Sequence, residues 1–151
     1  MEQIEASIAN YVLSAAGKNI TPYYNELKAG FKVPSVFFPE TDTGTSREDL
    51  DTYAFNNAWY IKFFHSTTDN AKAIAKKVLA KIVGGRYLIP ILNEDGTPTG
   101  RKIRISRAEI KKADDGVYQM WLDWDESYEY DDLSVKSKKM QTYDVSLNLK
   151  E

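Results

Sequence analysis

The chain has 151 residues, a length for one domain, 1–151, able to bury roughly 70% of its unfolded surface without a disulfide framework. It contains no cysteine, which excludes thiolate nucleophiles, cysteine-based zinc sites and structural disulfides together. A formal net charge of -2 argues against the globally basic surface of a non-specific DNA binder, although a local basic patch stays open.

The N-terminal MEQIEASIANYVLSAAGKN has Ile4, Ile8, Tyr11, Val12 and Ala15 at helical spacing. Glu2 and Glu5 suit the positive end of the helix dipole, and Gly17 is placed as the stop. The early glutamates and the alternation of polar and apolar residues predict a mature surface helix, not a targeting peptide. No run approaches the ~18 apolar residues of a membrane span, so a soluble protein with no membrane partner is expected. Two short extended runs follow, ITPYYNELK and KVPSVFFPE. Pro34 makes the second an edge strand, or one that begins after it, around Val36, Phe37 and Phe38. ETDTGTSREDLD, Glu40 to Asp51, is nearly devoid of apolar residues and predicts an exposed loop, either functional or a plain connector.

The chain is organised around the next stretch, Tyr53 to Ser66. Tyr53, Phe55, Trp59, Ile61 and Phe63 fall on one face at period two and are assigned to the core. Ala54, Asn56, Ala58, Tyr60, Lys62 and Phe64 form the other face, which fits either a packed helix or a subunit contact. Ser66, Thr67 or Thr68 then caps a helix with an apolar stripe of Ala71, Ile74, Ala75, Val78, Leu79 and Ile82. Its lysines make a solvated face, and Gly84 and Gly85 end it.

YLIPILNEDGTPTGRKIRIS predicts two extended segments around a protruding Asn93 to Gly100 tip. GVYQMWLDWDESYEY is a long strand with Tyr118, Met120, Leu122 and Trp124 on one face and Val117, Gln119, Trp121, Asp123 and Asp125 on the other. After the polar DDLSVKSKK, a last strand is expected from Tyr143, Val145, Leu147 and Leu149. The expected fold is therefore α+β: a mostly antiparallel β-sheet with two amphipathic helices packed on one face and a protruding β-hairpin.

Few residues suggest chemistry. His65 is the only histidine, and no serine has the glycines of a nucleophile elbow. Asp123, Asp125 and Glu126 could be imagined as a carboxylate cage, or Asp123 and Asp125 as paired acids of a glycosidase, but they lack the spacing of a calcium loop and any acidic strand offers such a pair. Gly84-Gly85 closes a helix where a phosphate cradle would open one. No enzyme activity, metal or cofactor is expected. What stands out is segregated charge. Arg101, Lys102, Arg104, Arg107, Lys111 and Lys112 crowd one segment with Glu109 as the sole acid. The following segment holds Asp114, Asp115, Asp123, Asp125, Glu126, Glu129, Asp131 and Asp132 without a base. Either adjacent strands neutralise each other within one subunit, or a basic edge of one copy meets an acidic edge of the next, a head-to-tail contact that closes into a ring when the rotation permits.

The order of elements, with VPSVFFPE, AWYIKFFHS and AKAIAKKVLAKI in the first half and RYLIPILNEDGTPTGRKIRIS and DDGVYQMWLDWDESYEY in the second, resembles the small tail-terminator, or tail-completion, proteins of long-tailed phages, prophages and related contractile particles. The likeness covers nearly the whole chain but rests on layout, with no motif that transfers residue by residue. It implies a structural protein, usually six copies of which form a ring on the head-proximal end of the tail tube. Such a ring stops tube growth and joins the tail to the head or neck. The implied partners are further copies of the chain, the tube protein, and sheath and neck or connector proteins. The implied place is the virion, after synthesis in the host cytoplasm. Contacts are expected at Thr41, Thr43, Arg47 and Glu48, at Asn93 and Asp95, and along the charged segments at Arg101, Lys102, Arg104, Arg107, Asp123 and Asp125. The alternative is a small nucleic-acid-binding module using Arg101, Lys102, Arg104 and Arg107 with tyrosine and tryptophan for stacking. A small enzyme built on Asp123, Asp125 and His65 is a third reading.

Overall fold

The computed structural model describes residues 1–131. Residues 132–139 of the DDLSVKSKK stretch, Asp132 among them, and the strand expected from Tyr143 to Leu149 lie outside the described residues. The described chain runs α1 (Gln3–Ala16), β1 (Thr21–Tyr24), β2 (Ser35–Phe38), β3 (Asp42–Arg47), β4 (Thr52–Phe64), α2 (Thr68–Gly84), β5 (Leu88–Leu92), β6 (Pro98–Asp114) and β7 (Val117–Glu129). The sheet order is β1-β2-β4-β7-β6-β5, with β3 also paired to β4. Every pairing is antiparallel except β1 with β2. This is the α+β class expected.

Two sequence signals set the first helix. Glu2 is its N-cap and exchanges hydrogen bonds with Glu5 in a capping box, satisfying two donors that the first turn leaves open. Gly17, at φ +108, ends it in a conformation that costs other residues more. Ile8, Ala9, Val12, Ala15 and Ala16 are buried. In α2, Thr67 is the cap, and Ala71, Ala75, Val78 and Ile82 are buried on one stripe. Both helices pack on the sheet face made by Trp59, Ile61 and Phe63 of β4 and Met120, Leu122 and Trp124 of β7. The helices also hold each other and the sheet edge. Tyr11 Oη donates to the Lys81 carbonyl at the end of α2, while Ser7 Oγ accepts the Leu92 N–H and Gln3 donates to the Leu92 carbonyl on the outer edge of β5.

Pro34 acts as expected, since β2 begins at Ser35, but β2 is not an edge: it lies between β1 and β4. The opposite face of β4 carries neither helix. Phe64 is covered there by Phe31, with ring centroids 4.8 Å apart, and Tyr60 by Trp121 at 5.2 Å.

Three expectations are corrected. Glu40 to Asp51 is not a loop throughout: Asp42–Arg47 is strand β3, paired with Tyr53 to Ala58. All six of its residues are exposed, so it left no apolar alternation to read; backbone pairing to the projecting start of β4 makes it a strand. The tip between β5 and β6 is shorter than Asn93 to Gly100, because Pro98 already begins β6 and Thr99 Oγ1 donates back to the Ile91 carbonyl. Tyr53 and Phe55 are half-buried and outside the core cluster, whereas Ala54 on the opposite face is buried between β3 and β7. The helices reach only as far as the second half of β4.

Candidate functional site

The sheet divides at one pair. β6 and β7 run side by side from the Asp114–Val117 turn to the pair Ile105–Trp124, and a bulge follows Ile105 as the ladder is traced back toward Arg107. Past that pair, β7 continues along β4 from Asp125 to Glu129, with β3 on the far side of β4. β6 continues instead along β5, from Arg104 back to Pro98. Two arms result, a three-stranded one ending in the turn at 48–51 and a two-stranded hairpin ending at 93–97. The bulge also exchanges faces: before it Ile103 and Ile105 point to the helices, and after it Ala108 and Ile110 do.

The expected contact residues sort onto these arms. Thr41, Thr43, Arg47, Glu48 and Asp125 belong to the three-stranded arm or its base. Thr41 Oγ1 donates to Glu5 of α1, Thr43 Oγ1 to Asn57 Oδ1 at 2.7 Å, and Glu48 accepts from Ser127 across the arm at 2.9 Å. Asp125 accepts from Asn56 Nδ2 at 2.8 Å. Thr41, Thr43, Glu48 and Asp125 thus each have a hydrogen-bond partner within the subunit. Asn93, Asp95, Arg101, Lys102 and Arg104 belong to the hairpin. Asp95 accepts from the Thr97 N–H and hydroxyl, which hold its carboxyl below the usual range, the hydroxyl contributing most. At the other tip Asp49 is lowered in the same way by the Asp51 N–H, then by the Thr52 hydroxyl and N–H. Both side chains close their turns.

Arg107 and Asp123 sit between the arms and are committed internally. The Arg107 guanidinium lies 3.7 Å from the centre of the Trp121 ring and pairs with Glu109 at 2.8 Å, while Trp121 Nε1 donates to Asp123. This stack occupies one face of the Trp121 ring. Of the neutralisation expected between adjacent strands, what forms is local: Arg107 with Glu109 in one strand and Lys112 with Asp115 across the turn. Arg101, Lys102 and Arg104 form no ion pair among the described residues.

The groups of the enzymatic reading do not converge. Asp123 and Asp125 pair with Ala58 and Asn56, while His65 lies beyond the far end of β4, beside Gly116. From Ala58 to His65 is seven strand positions, about 23 Å. Glu126 leaves Asp123 and Asp125 for the helix-side face, where it accepts from Asn57.

A group that the sequence pattern assigned to the core belongs here instead. Tyr53 and Phe55 of β4 meet Tyr128 and Tyr130 at the end of β7, with ring centroids 5.0–5.8 Å apart. They stand on the face that carries the helices further along the sheet, past the point where α1 covers it. Tyr128 and Tyr130 are 41% and 39% exposed, and Leu50 in the adjoining turn is 91% exposed. Burial, then the nearby charge of Glu126, raises the Tyr128 phenol above its ordinary pKa, and Glu2 at the start of α1 adds to the effect. The signal was present in Asn57, the polar residue that interrupts the apolar face between Phe55 and Trp59.

The fold and these surfaces define a small α+β protein with one acidic arm and a second arm that carries three cations behind an acidic tip. No family model matches the chain. It is similar to the uncharacterized protein YqbJ of Bacillus subtilis (strain 168), 29% identical over 131 residues, 87% of this chain and 88% of that protein. It is likewise 29% identical over 126 residues to the phage-like element PBSX protein XkdJ of the same organism, 83% of this chain and 84% of that protein. Among solved structures, a chain from the virion of a native gene transfer agent (GTA) particle aligns over 85% of this chain and 96% of its own, with a TM-score of 0.48 and 14% identity. The chain is thus related over most of its length to a protein of a phage-like element.

Proposed function

We propose that the protein is a structural component of a phage or phage-like particle, and more narrowly the terminator that closes the head-proximal end of its tail tube as a ring of copies, probed first as a hexamer. The division of the sheet into an acidic arm and an arm with a cationic strand carries this reading. It is a geometry for touching other subunits, while the groups that could perform chemistry lie apart. The relationship to a protein of the PBSX element supports the particle, and the order of elements along the chain supports the terminator. In this reading the chain is not an enzyme and holds no cofactor. One surface of the ring pairs with the last ring of tube subunits, the other faces the neck or connector, and sheath contacts arise where the tail is contractile.

Light scattering on the purified chain across a concentration series, with and without the tube protein of the same particle, tests the proposal. A closed ring, formed alone or fixed by tube protein, is the expected result. A monomer indifferent to tube protein at every concentration overturns it. Deleting Glu94–Gly96 within the hairpin turn, short of the strand that starts at Pro98, is expected to leave the fold intact and reduce the yield of finished tails.

A further inference from the structure

We propose that the aromatic face of the three-stranded arm, formed by Tyr53, Phe55, Tyr128 and Tyr130, is the seat of a neighbouring copy of this chain, and that the neighbour's β5–β6 hairpin fills it with Lys102 and Arg104. The inference rests on the ring reading and specifies its subunit contact.

Four observations lead there. The rings touch one another but are covered by neither helix, and Tyr128, Tyr130 and Leu50 present apolar surface at the end of the molecule. A patch of packed aromatics at a projecting end is the composition of an interface centre. The arm that bears it is acidic: Glu126 stands on the same face, Glu48, Asp49 and Asp51 line the turn beyond it, and Asp125 and Glu129 lie on the opposite face, with Arg47 as its one base in 42–56 and 125–129. The hairpin carries the complement on β6, behind the acidic Glu94 and Asp95 of its tip. Lys102 and Arg104, two positions apart on one face of β6, are exposed and carry no ion pair among the described residues, so they can meet carboxylates and, for the arginine, lie on a tyrosine ring. Finally, β6 leaves β7 at the pair Ile105–Trp124 to run with β5 while β7 stays on β4, so patch and cations lie on different strand pairs of one subunit. A contact between unlike surfaces is heterologous, and repeating it by rotation makes a ring.

Charge reversal tests the contact without touching the core. One variant carries Lys102→Glu and Arg104→Glu, the other Glu48→Lys and Asp51→Lys, all at exposed positions. Each alone sets like charges against each other and is expected to weaken ring association on the order of 100-fold. Mixed in equal amounts, the two satisfy each other's altered surfaces and are expected to restore a ring of alternating subunits, which an even-numbered ring allows. Circular dichroism melting checks that both variants remain folded. If folded variants assemble as the unaltered chain does, or if the mixture of variants stays dissociated, the contact is wrong while the ring reading stands. The same pattern is expected if the patch is covered from within its own chain. If the unaltered chain never forms a ring, with or without tube protein, the ring reading and this contact fall together.

Discussion

Gly116 shows how a single residue joins two parts of this fold. It turns β6 into β7 at φ +73, donates its N–H to Thr68 Oγ1 at the start of α2, and its carbonyl accepts from the His65 N–H. A Cβ there would lie 2.7 Å from the His65 carbonyl oxygen. Gly116→Ala is therefore expected to destabilise the protein by about 1–3 kcal/mol, read from urea unfolding. Gly44→Ala, where nothing lies within 4 Å and φ is not positive, should stay within about 0.5 kcal/mol. The hairpin tip offers a pH test. The Asp95 carboxyl titrates below its ordinary value of 3.8 because its ionised form accepts from Thr97. A lowered folded pKa means the ordering is fully present above 3.8 and is lost as pH falls through the folded value. Protection of the Thr97 amide against hydrogen exchange, compared with Asp95→Ala, should hold at neutral pH and disappear in acid.

At the scale of elements, β4 has two lives. Its second half, Trp59 to Phe63, lies beneath the helices with Trp59, Ile61 and Phe63 buried. Its first half is one layer thick between β3 and β7. Ile61→Ala should cost about 2–5 kcal/mol in unfolding free energy with no special effect on assembly. Phe55→Ala should cost about 1–1.5 kcal/mol and yet reduce ring formation, a contrast that unfolding and light scattering on the same samples would expose. The helices and the long strands were legible because their burial is periodic, as Val78 and Ile82 on α2 or Met120, Leu122 and Trp124 on β7 show. β3 was not, since its residues are all exposed and only a backbone partner defines it. Tyr53 and Phe55 were misplaced for a related reason: period two reports a shared face but not how far along that face the helices reach.

For the whole molecule, the charge segregation visible between residues 101 and 131 is spatial as well as sequential. Had β6 and β7 stayed paired to their ends, Arg104 would have stood opposite Asp125 across one ladder. The switch of partners at Ile105 and Trp124 prevents that and sends the two signs into separate arms. Which pair ends the shared ladder depends on a bulge, and RKIRISRAEI carries it only as a change of phase, from Ile103 and Ile105 to Ala108 and Ile110, which composition and charge do not reveal.

The parting of the strands also frees the arms from the interior. Two residues added to each strand of either arm would move its tip outward by about 7 Å and leave every side chain on its original face, with the helix-covered layers untouched. A single added residue would instead turn the outer part of that strand over, exchanging aromatic for acidic surface. Growth of this end is therefore quantised by the pleat, and a lineage can adjust its reach toward a neighbour in even steps while the body of the protein stays the same.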